Sequence, residues 1–236
     1  MTRPFPLHTG IAEVVDVALI TARMKRVTLT APAFADFGIE QPGEIITLGW
    51  PNDSEPLILP ERGWRFPRGR RKQHWRNYTV RAYRPTQAQV DVDFFLHGDA
   101  GQAAAWAERV SAGDRVGFAG PRTHWEGHDG WSLLVSDETG LPALLAILET
   151  LPAGHRAVAL AEVASAGEHQ RVQTEADLDL HWIGRGRLAK TTRALTLPNG
   201  PGRAWGGGEA RAMRAVRDHL RTHRNVELDL LGYWKR

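Results

Sequence analysis

Apolar and polar residues alternate along several short stretches in the first half of the chain, as they do in half-buried β-strands. The clearest stretch is residues 89–97, in which one face carries Val90, Val92, Phe94 and Leu96. Turn-forming residues bound these stretches, and little helical periodicity separates them. The pattern predicts a domain built as an antiparallel β-barrel or sandwich.

The pattern changes near residue 126. Apolar strands such as residues 132–136 then alternate with segments of helical periodicity, in one of which the apolar positions are Ala210, Met213, Val216 and Leu220. Strands that alternate with helices predict a parallel sheet covered by helices. We therefore expect a β-domain over residues 1–126, followed by an α/β-domain over residues 127–236.

Composition narrows the class of protein. The 236 residues include no cysteine, which excludes disulfides, thiolate metal sites and a cysteine nucleophile, and which fits a reducing cytoplasm. No run of eighteen apolar residues occurs, and the first ten residues lack the apolar stretch of a secretory signal. We therefore expect a cytoplasmic protein with no membrane span.

Positive charge is concentrated in one segment, although the net charge is only +3. Residues 61–72 contain Arg62, Arg65, Arg68, Arg70, Arg71 and Lys72. A local basic patch indicates an anionic partner, either nucleic acid or a multiply charged small molecule. The alternative is a solvated loop.

Residues 76–81 predict a strand whose side chains suit a flavin nucleotide. Arg76, Tyr78 and Val80 would share one face, and the other face would carry Asn77, Thr79 and Arg81. Arginine offers a fork of donors to phosphate, and a tyrosine ring can lie against a flat ring system. The alternative is an exposed strand with two solvated arginines.

Residues 97–107 run from a strand end at His97, through Gly98 and Gly101, into an alanine-rich helix that includes Ala103 and Ala104. Free N–H groups and the helix dipole would make the start of this helix an anion site. Small residues would let a diphosphate approach the backbone. The alternative is a plain glycine turn with a strand-end histidine.

Two further segments are predicted as turns before helices in the second half. Asp137, Glu138 and Thr139 follow an apolar strand, at the edge where ligands gather in open α/β sheets, although no G-x-G-x-x-G fingerprint is present. Gly208 and Glu209 end a run of three glycines. Asp137 or Thr139 could instead cap a helix, and Glu209 could complement a helix dipole.

In this order and spacing, the stretches resemble the siderophore-interacting protein family, a branch of the ferredoxin-reductase-like flavoproteins. The resemblance covers nearly the whole chain. It rests on an R-x-Y-T-x-R strand, a D-F-x-L-H-G strand end, a D-E-T-x-L-P turn and a terminal G-Y-W, at residues 76–81, 93–98, 137–142 and 232–234. Shorter matches are W-A at 106–107, G-D at 113–114, G-P at 120–121 and G-E at 208–209.

The resemblance implies an antiparallel FAD-binding β-barrel followed by a nicotinamide-binding α/β-domain with a parallel sheet. FAD would be held by Arg76, Tyr78, Thr79, Val80, Arg81, His97, Gly98, Gly101, Ala103 and Ala104. NAD(P)H would be bordered by Asp137, Glu138, Thr139, Gly208 and Glu209.

The resemblance also implies a reductase that passes hydride from NAD(P)H to FAD and single electrons to siderophore-bound Fe(III). Such a reaction needs neither a catalytic side chain nor a resident metal. The substrate would be a small anionic chelate received by basic residues, and the basic residues assigned to it are Arg122, Lys235, Arg68, Arg70 and Arg71. We expect a monomer. The alternative is a non-catalytic siderophore- or nucleic-acid-binding protein on the same scaffold.

The chain departs from the family pattern at three points. Gln102 stands where proline is frequent, Thr47 stands where lysine is common, and the chain stops at Arg236, where relatives run on. The last two departures leave the siderophore open. The choice between NADH and NADPH is also open, because Glu162 favours a free ribose hydroxyl, whereas a 2′-phosphate would suit Arg171, Arg185, Arg187 and Lys190.

Overall fold

The computed structural model describes residues 8–51, 56–61, 64–66, 73–98, 101–123 and 125–235. The chain divides into an N-terminal unit, Met1–His124, and a C-terminal unit, Trp125–Arg236. Among the described residues, no helix is long and apolar enough to cross a membrane.

The N-terminal unit is one antiparallel sheet with a single described α-helix, α1 (Gln102–Arg109). Its strands are β1 (His8–Thr21), β2 (Met24–Thr30), β3 (Ile45–Trp50), β4 (His74–Thr79), β5 (Ala82–Arg84), β6 (Gln89–Phe95) and β7 (Arg115–Arg122). They lie in the order β4-β3-β7-β1-β2-β6-β5, so the two edge strands are consecutive in the chain. Val80 N–H binds the carbonyl of Glu44 before β3, and Arg81 N–H binds that of Asp91 on β6. These two bonds extend the β3–β4 and β5–β6 pairings, and the antiparallel pairing of all neighbouring strands confirms the expected antiparallel architecture.

Strand β6 has the predicted alternation, with Val90, Val92 and Phe94 buried in the core. The opposite face carries two carboxylates, Asp91 and Asp93, which are buried as well. Arg84 binds Asp91 with two hydrogen bonds of 2.5 and 2.8 Å. Burial alone would raise the pKa of Asp91, but hydrogen bonds from Arg84 and Thr28 hold that pKa below its usual value. Paired charges thus cover this face of the sheet.

The C-terminal unit is a parallel five-stranded sheet with helices, as expected. Its strands are β8 (Trp131–Ser136), β9 (Arg156–Val163), β10 (Asp177–Gly184), β11 (Gly202–Glu209) and β12 (Val226–Trp234). Its helices are α2 (Leu141–Leu148), α3 (Leu188–Ala194) and α4 (Ala210–Leu220). The order β10-β9-β8-β11-β12 reverses direction between β8 and β11. A crevice opens at the carboxyl ends of neighbouring strands at such a switch point.

Helices α2 and α4 pack differently. Every residue of α2 is buried, as an all-round apolar helix requires. Helix α4 buries only the stripe Met213, Val216 and Leu220, which is the predicted apolar face. The prediction of a turn at the three glycines is wrong, because Gly206, Gly207 and Gly208 lie within β11.

Candidate functional site

The predicted flavin-binding strand is β4, and its register against β3 shows which side chains share a face. Leu48 pairs with Arg76, and Trp50 pairs with His74. Since directly opposed residues point to the same side of a sheet, Arg76 and Tyr78 share a face with Trp50. Arg76 is exposed, and its Nη1 donates to the carbonyl of Trp75 at 2.9 Å.

Tyr78 is built into an aromatic wall on this face. Its ring centroid is 4.4 Å from that of Phe94 and 6.2 Å from that of Trp50. Burial raises the pKa of the Tyr78 hydroxyl, and the charge of nearby Arg76 opposes this shift. The phenol is therefore neutral, so Arg76 is the charged group of this face.

The next three residues of the predicted motif lie at and just beyond the end of β4. Thr79 and Val80 are buried, with Val80 in the hydrophobic core of the unit. The Nε atom of Arg81 lies 3.9 Å from the carboxylate of Asp93, which also receives a two-point contact from Arg26. The structure thus leaves Arg76 exposed and Tyr78 partly exposed, whereas Val80 packs in the core and Arg81 lies beside a carboxylate.

The glycine turn before α1 has the geometry of an anion cradle. Gly98 and Gly101 have φ angles of +96° and +104°, which an L side chain rarely adopts. A Cβ on either would meet nothing within 4 Å. No side chain caps the helix among the described residues, and the first intrahelical bond is donated by Ala105 N. The amides of Gln102, Ala103 and Ala104 precede that bond.

The two side chains described next to this turn, those of His97 and Gln102, differ in their contacts. His97 is exposed, and its ring lies 6.0 Å from that of Phe95. Gln102, which stands where relatives often have proline, donates its side-chain amide to the carbonyl of Pro51. This contact ties the helix start to the end of β3. Asp99 and Ala100 lie outside the described residues.

An aromatic cluster brings the two predicted flavin-binding stretches together. Trp106 on α1 lies 5.6 Å from Trp50 and 5.5 Å from Phe94, measured between ring centroids. At the other end of α1, Lys25 Nζ donates to the carbonyls of Ala107 and Glu108 at 2.7 and 2.8 Å. Helix α1 is therefore anchored with its uncapped start beside the face of Arg76 and Tyr78.

In the C-terminal unit, one buried carboxylate joins the two predicted nicotinamide-binding segments. Asp137 is 5% exposed. Its Oδ1 accepts from the backbone N–H and the hydroxyl of Thr139 at 2.8 and 2.5 Å. Its Oδ2 accepts from Glu209 N and Trp234 Nε1, both at 2.8 Å. The carboxyl ends of β8, β11 and β12 are thus tied at one point.

The other carboxylates of this edge also have structural partners. Glu138 is buried and accepts from Arg185 Nε at 2.9 Å. Glu209 caps α4 by accepting from Ala212 N at 2.7 Å, which confirms its alternative reading as a helix-start residue. Glu162 accepts from the backbone N–H groups of Arg187 and Leu188, both at 2.9 Å.

Close packing accounts for the glycines of β11. A Cβ on Gly207 would lie 2.7 Å from the ring of Tyr233, and one on Gly208 would lie 2.8 Å from the carboxylate of Asp137. The pairing of β11 with β12 is irregular between Gly208 and Glu209, as at a β-bulge. These glycines admit Tyr233 and Asp137, whereas the turn at Gly98 and Gly101 faces open space.

The predicted substrate cations fall in three places. Arg68, Arg70 and Arg71 lie outside the described residues. Arg122 ends β7 half-buried, and desolvation lowers its pKa. Lys235 follows β12 and is exposed. Thr47, which stands where relatives carry lysine, is buried and donates to Asn77 Oδ1 at 2.8 Å.

At the amino end of β8 lies a chain of hydrogen-bonded polar groups, which the sequence did not predict. Ser132 Oγ is 3.2 Å from His128 Nε2 and 2.8 Å from His155 Nε2. His128 Nδ1 is 3.0 Å from the carbonyl of Asp129 and must donate to it. Neutral His128 therefore accepts from Ser132, which in turn accepts from His155. Burial lowers the pKa of His155, and the neighbouring His128 lowers it further.

Comparison with known proteins gives a match in each half of the chain. A family model described as the siderophore-interacting FAD-binding domain matches residues 13–125. A second, described as siderophore-interacting protein, matches residues 129–236.

Curated relatives and solved structures agree with these matches. Ferric vibriobactin reductase ViuB of Vibrio cholerae is 28% identical, over 98% of this chain and 90% of its own length. An NADPH-dependent ferric-chelate reductase of Escherichia coli is 33% identical over 58% of this chain and 55% of its own. A siderophore utilization protein from T. fusca superposes with a TM-score of 0.88 at 30% identity, covering 100% of this chain and 96% of that one. SipS from Aeromonas hydrophila gives 0.84 at 26% identity, covering 97% and 92%.

Proposed function

This chain belongs to the siderophore-interacting protein family, and we propose that it is a flavin-dependent reductase of ferric siderophores. Hydride would pass from NAD(P)H to FAD, and single electrons would pass on to chelated Fe(III). The observation that carries the proposal is the pair of family matches, which together span residues 13–125 and 129–236. Relatives named as ferric reductases support the same activity.

The residues of the N-terminal unit fit FAD. Gly98 and Gly101 leave open space beside an uncapped helix start, where a diphosphate is favoured by free N–H groups and the helix dipole. Arg76 adds an exposed guanidinium. Trp50 adds a buried indole N–H that has no partner among the described residues. In this proposal Arg76 and the first amides of α1 hold the diphosphate, and Tyr78 contacts the flat ring system.

The residues of the C-terminal unit fit a nicotinamide nucleotide. The crevice between the carboxyl ends of β8 and β11 is bordered by residues 137–139 and by Gly208 and Glu209. Ser136, the last residue of β8, is fully buried, and no described residue forms a hydrogen bond with its hydroxyl. An unpaired buried hydroxyl at this edge suits a polar ligand such as the nicotinamide carboxamide.

Bound FAD would couple a two-electron hydride donor to a one-electron acceptor, ferric iron. The protein's side chains then have to bind and orient both partners, and neither a nucleophile nor a general base is required. Reduction weakens the hold of hard oxygen ligands on iron, which releases the metal from its chelate as Fe(II).

The proposed substrate is an anionic ferric siderophore. Arg122 and Lys235 would attract it, and Arg68, Arg70 and Arg71 would add to the field although they lie outside the described residues. A positive cleft raises the local concentration of an anion and speeds encounter. We place the reaction in the cytoplasm, where NAD(P)H is available, and expect a monomer.

An anaerobic experiment with purified protein tests the proposal. The protein should be yellow with bound FAD, and NADH or NADPH should bleach the flavin absorbance. Addition of a ferric siderophore should restore that absorbance and yield Fe(II), measured with a chromogenic ferrous chelator. Steady-state rates with both nucleotides decide between NADH and NADPH. A colourless protein that takes up no flavin and retards DNA in a gel would overturn the proposal in favour of a binding protein.

A further inference from the structure

Trp50 ends β3 with its indole buried, at 3% exposure. Its Nε1–H makes no hydrogen bond with any described residue. A buried N–H without an acceptor is unfavourable, since the group has given up water and gained nothing in return. The position of Trp50 therefore calls for an acceptor that the described part of the chain does not supply.

The surroundings of Trp50 point to what that acceptor is. The side chain shares its face of the sheet with Arg76 and Tyr78. Its ring lies 5.6 Å from that of Trp106 on α1. The residue that follows it, Pro51, accepts a hydrogen bond from the side chain of Gln102 at the start of the same helix. Trp50 is thus held between the exposed guanidinium of Arg76 and the uncapped helix start.

Three kinds of group described on this side of the site can only donate hydrogen bonds, whereas the Tyr78 hydroxyl can donate or accept. Arg76 offers N–H groups, the start of α1 offers backbone amides, and indole Nε1 is a donor that cannot accept. A set of donors around open space at Gly98 and Gly101 suits an anionic oxygen rather than a ring nitrogen or a hydroxyl.

We propose that Trp50 Nε1 donates a hydrogen bond to an oxygen of the phosphate chain of the bound flavin nucleotide. This inference rests on the proposed function, because it requires that the N-terminal unit bind FAD. It adds a residue that none of the family motifs contains.

Trp75 provides a matched control within the same sheet. It is also buried, at 9% exposure, and its Nε1 also has no partner. However, Trp75 pairs with Gly49 on β3 and so points to the opposite face from Arg76 and Tyr78. Its ring fills the space over Gly49, where an added Cβ would lie 2.5 Å from it. Trp75 is therefore a packing residue remote from the flavin face.

The test is to compare Trp50→Phe and Trp75→Phe, each of which removes an indole N–H and keeps an aromatic ring. Dissociation constants for FAD, FMN and riboflavin are measured by quenching of flavin fluorescence. For Trp50→Phe we expect FAD and FMN to bind about tenfold to a hundredfold more weakly, as for a hydrogen bond to a charged group. Riboflavin, which lacks phosphate, should bind this variant and the wild type equally well. Trp75→Phe should bind all three ligands like the wild type.

Two outcomes would overturn the inference. If Trp50→Phe binds FAD as tightly as the wild type, the proposed hydrogen bond does not exist. If this variant loses as much affinity for riboflavin as for FAD, the acceptor is not a phosphate oxygen. If the wild-type protein itself takes up no FAD, the proposed function fails instead, so the two failures are distinguishable.

A second measurement covers the case in which Trp50→Phe does not fold. In ¹H–¹⁵N spectra of the assigned wild-type protein, the indole N–H of Trp50 should move downfield and become protected from exchange when FAD is added. The indole N–H of Trp75 should not respond. A Trp50 signal that is unaffected by saturating FAD contradicts the inference.

Discussion

Replacing Asp137 by asparagine tests whether one carboxylate holds the crevice edge of the C-terminal unit together. The side chain keeps its shape, but one acceptor oxygen becomes an NH₂ group. Four donors meet this carboxylate, two from Thr139 and one each from Glu209 and Trp234. An asparagine amide has only one oxygen. If its NH₂ group faces Glu209 N and Trp234 Nε1, two donors lose their acceptor. If it faces Thr139, the hydroxyl can turn to accept, and only the backbone N–H of Thr139 loses its acceptor.

The magnitude follows from the number of hydrogen bonds lost. A hydrogen bond to a charged group contributes about 1.5–3 kcal/mol, and an abandoned buried donor adds a desolvation cost. Because at least one bond is lost and the others then go to an uncharged acceptor, Asp137→Asn should be destabilised by about 2–4 kcal/mol. This is a large share of the roughly 5–15 kcal/mol that stabilises a typical domain.

Urea unfolding, followed by far-UV circular dichroism, measures this loss. The control is Asp177→Asn, because Asp177 is an exposed aspartate of the same unit, and its change should lie within about 0.5 kcal/mol of wild type. Trp234→Phe removes one of the four donors, so its effect should be coupled to that of Asp137→Asn by about 1 kcal/mol or more in a double-mutant cycle. The reasoning is refuted if Asp137→Asn is no more destabilising than the control.

Three further predictions concern packing, pH and substrate charge. Gly207→Ala places a Cβ 2.7 Å from the ring of Tyr233 and should destabilise the protein by about 1–3 kcal/mol. Gly127→Ala is the control, because a Cβ at Gly127 meets open space. Equal melting temperatures of the two variants would contradict this prediction. The pKa of His155 lies below its usual 6.5, so the native state binds fewer protons than the unfolded state. The resulting stability is present above about pH 6.5 and is lost as pH falls below that value. In His155→Gln the melting temperature should therefore depend less on pH below about 6.5. A variant whose melting temperature varies with pH as in the wild type would contradict this prediction. Arg122→Gln should raise KM for an anionic ferric chelate and make that KM less dependent on salt concentration, while KM for a neutral chelate stays unchanged. Equal effects on both chelates would exclude a role of Arg122 in attracting an anionic substrate.

Parts of the molecule with a local signal could be predicted from the sequence. Alternation along residues 89–97 identified the buried face of β6, and helical spacing identified the stripe of α4 that includes Met213 and Val216. The change of pattern near residue 126 separated an antiparallel sheet from a parallel one. Each of these signals depends on residues close together in the chain, because burial on one face of a single element is enough to produce it.

The candidate sites were predicted less completely, because contacts between distant residues decide them. The sequence alone indicated Arg76, Tyr78 and the turn at Gly98, and strand alternation put Thr79 and Arg81 on the opposite face. Only the fold shows that Thr79 is buried and that Arg81 lies beside Asp93. Trp50 was missed because its relation to Arg76 exists only through the register of β3 against β4. Its sole sequence signal was a tryptophan directly before a proline, Pro51.

The glycines of β11 show most clearly how local propensity and long-range packing can differ. A run of three glycines reads as a turn, since local propensity disfavours glycine in a strand. Tertiary structure decided otherwise, because Gly207 and Gly208 must leave room for Tyr233 and Asp137, which approach from elements far away in the chain. The sequence by itself determined the class of each domain through local periodicity. Only the folded chain could decide which polar groups are paired and which, like Trp50 Nε1, have no partner among the described residues, since that depends on atoms brought together by long-range packing.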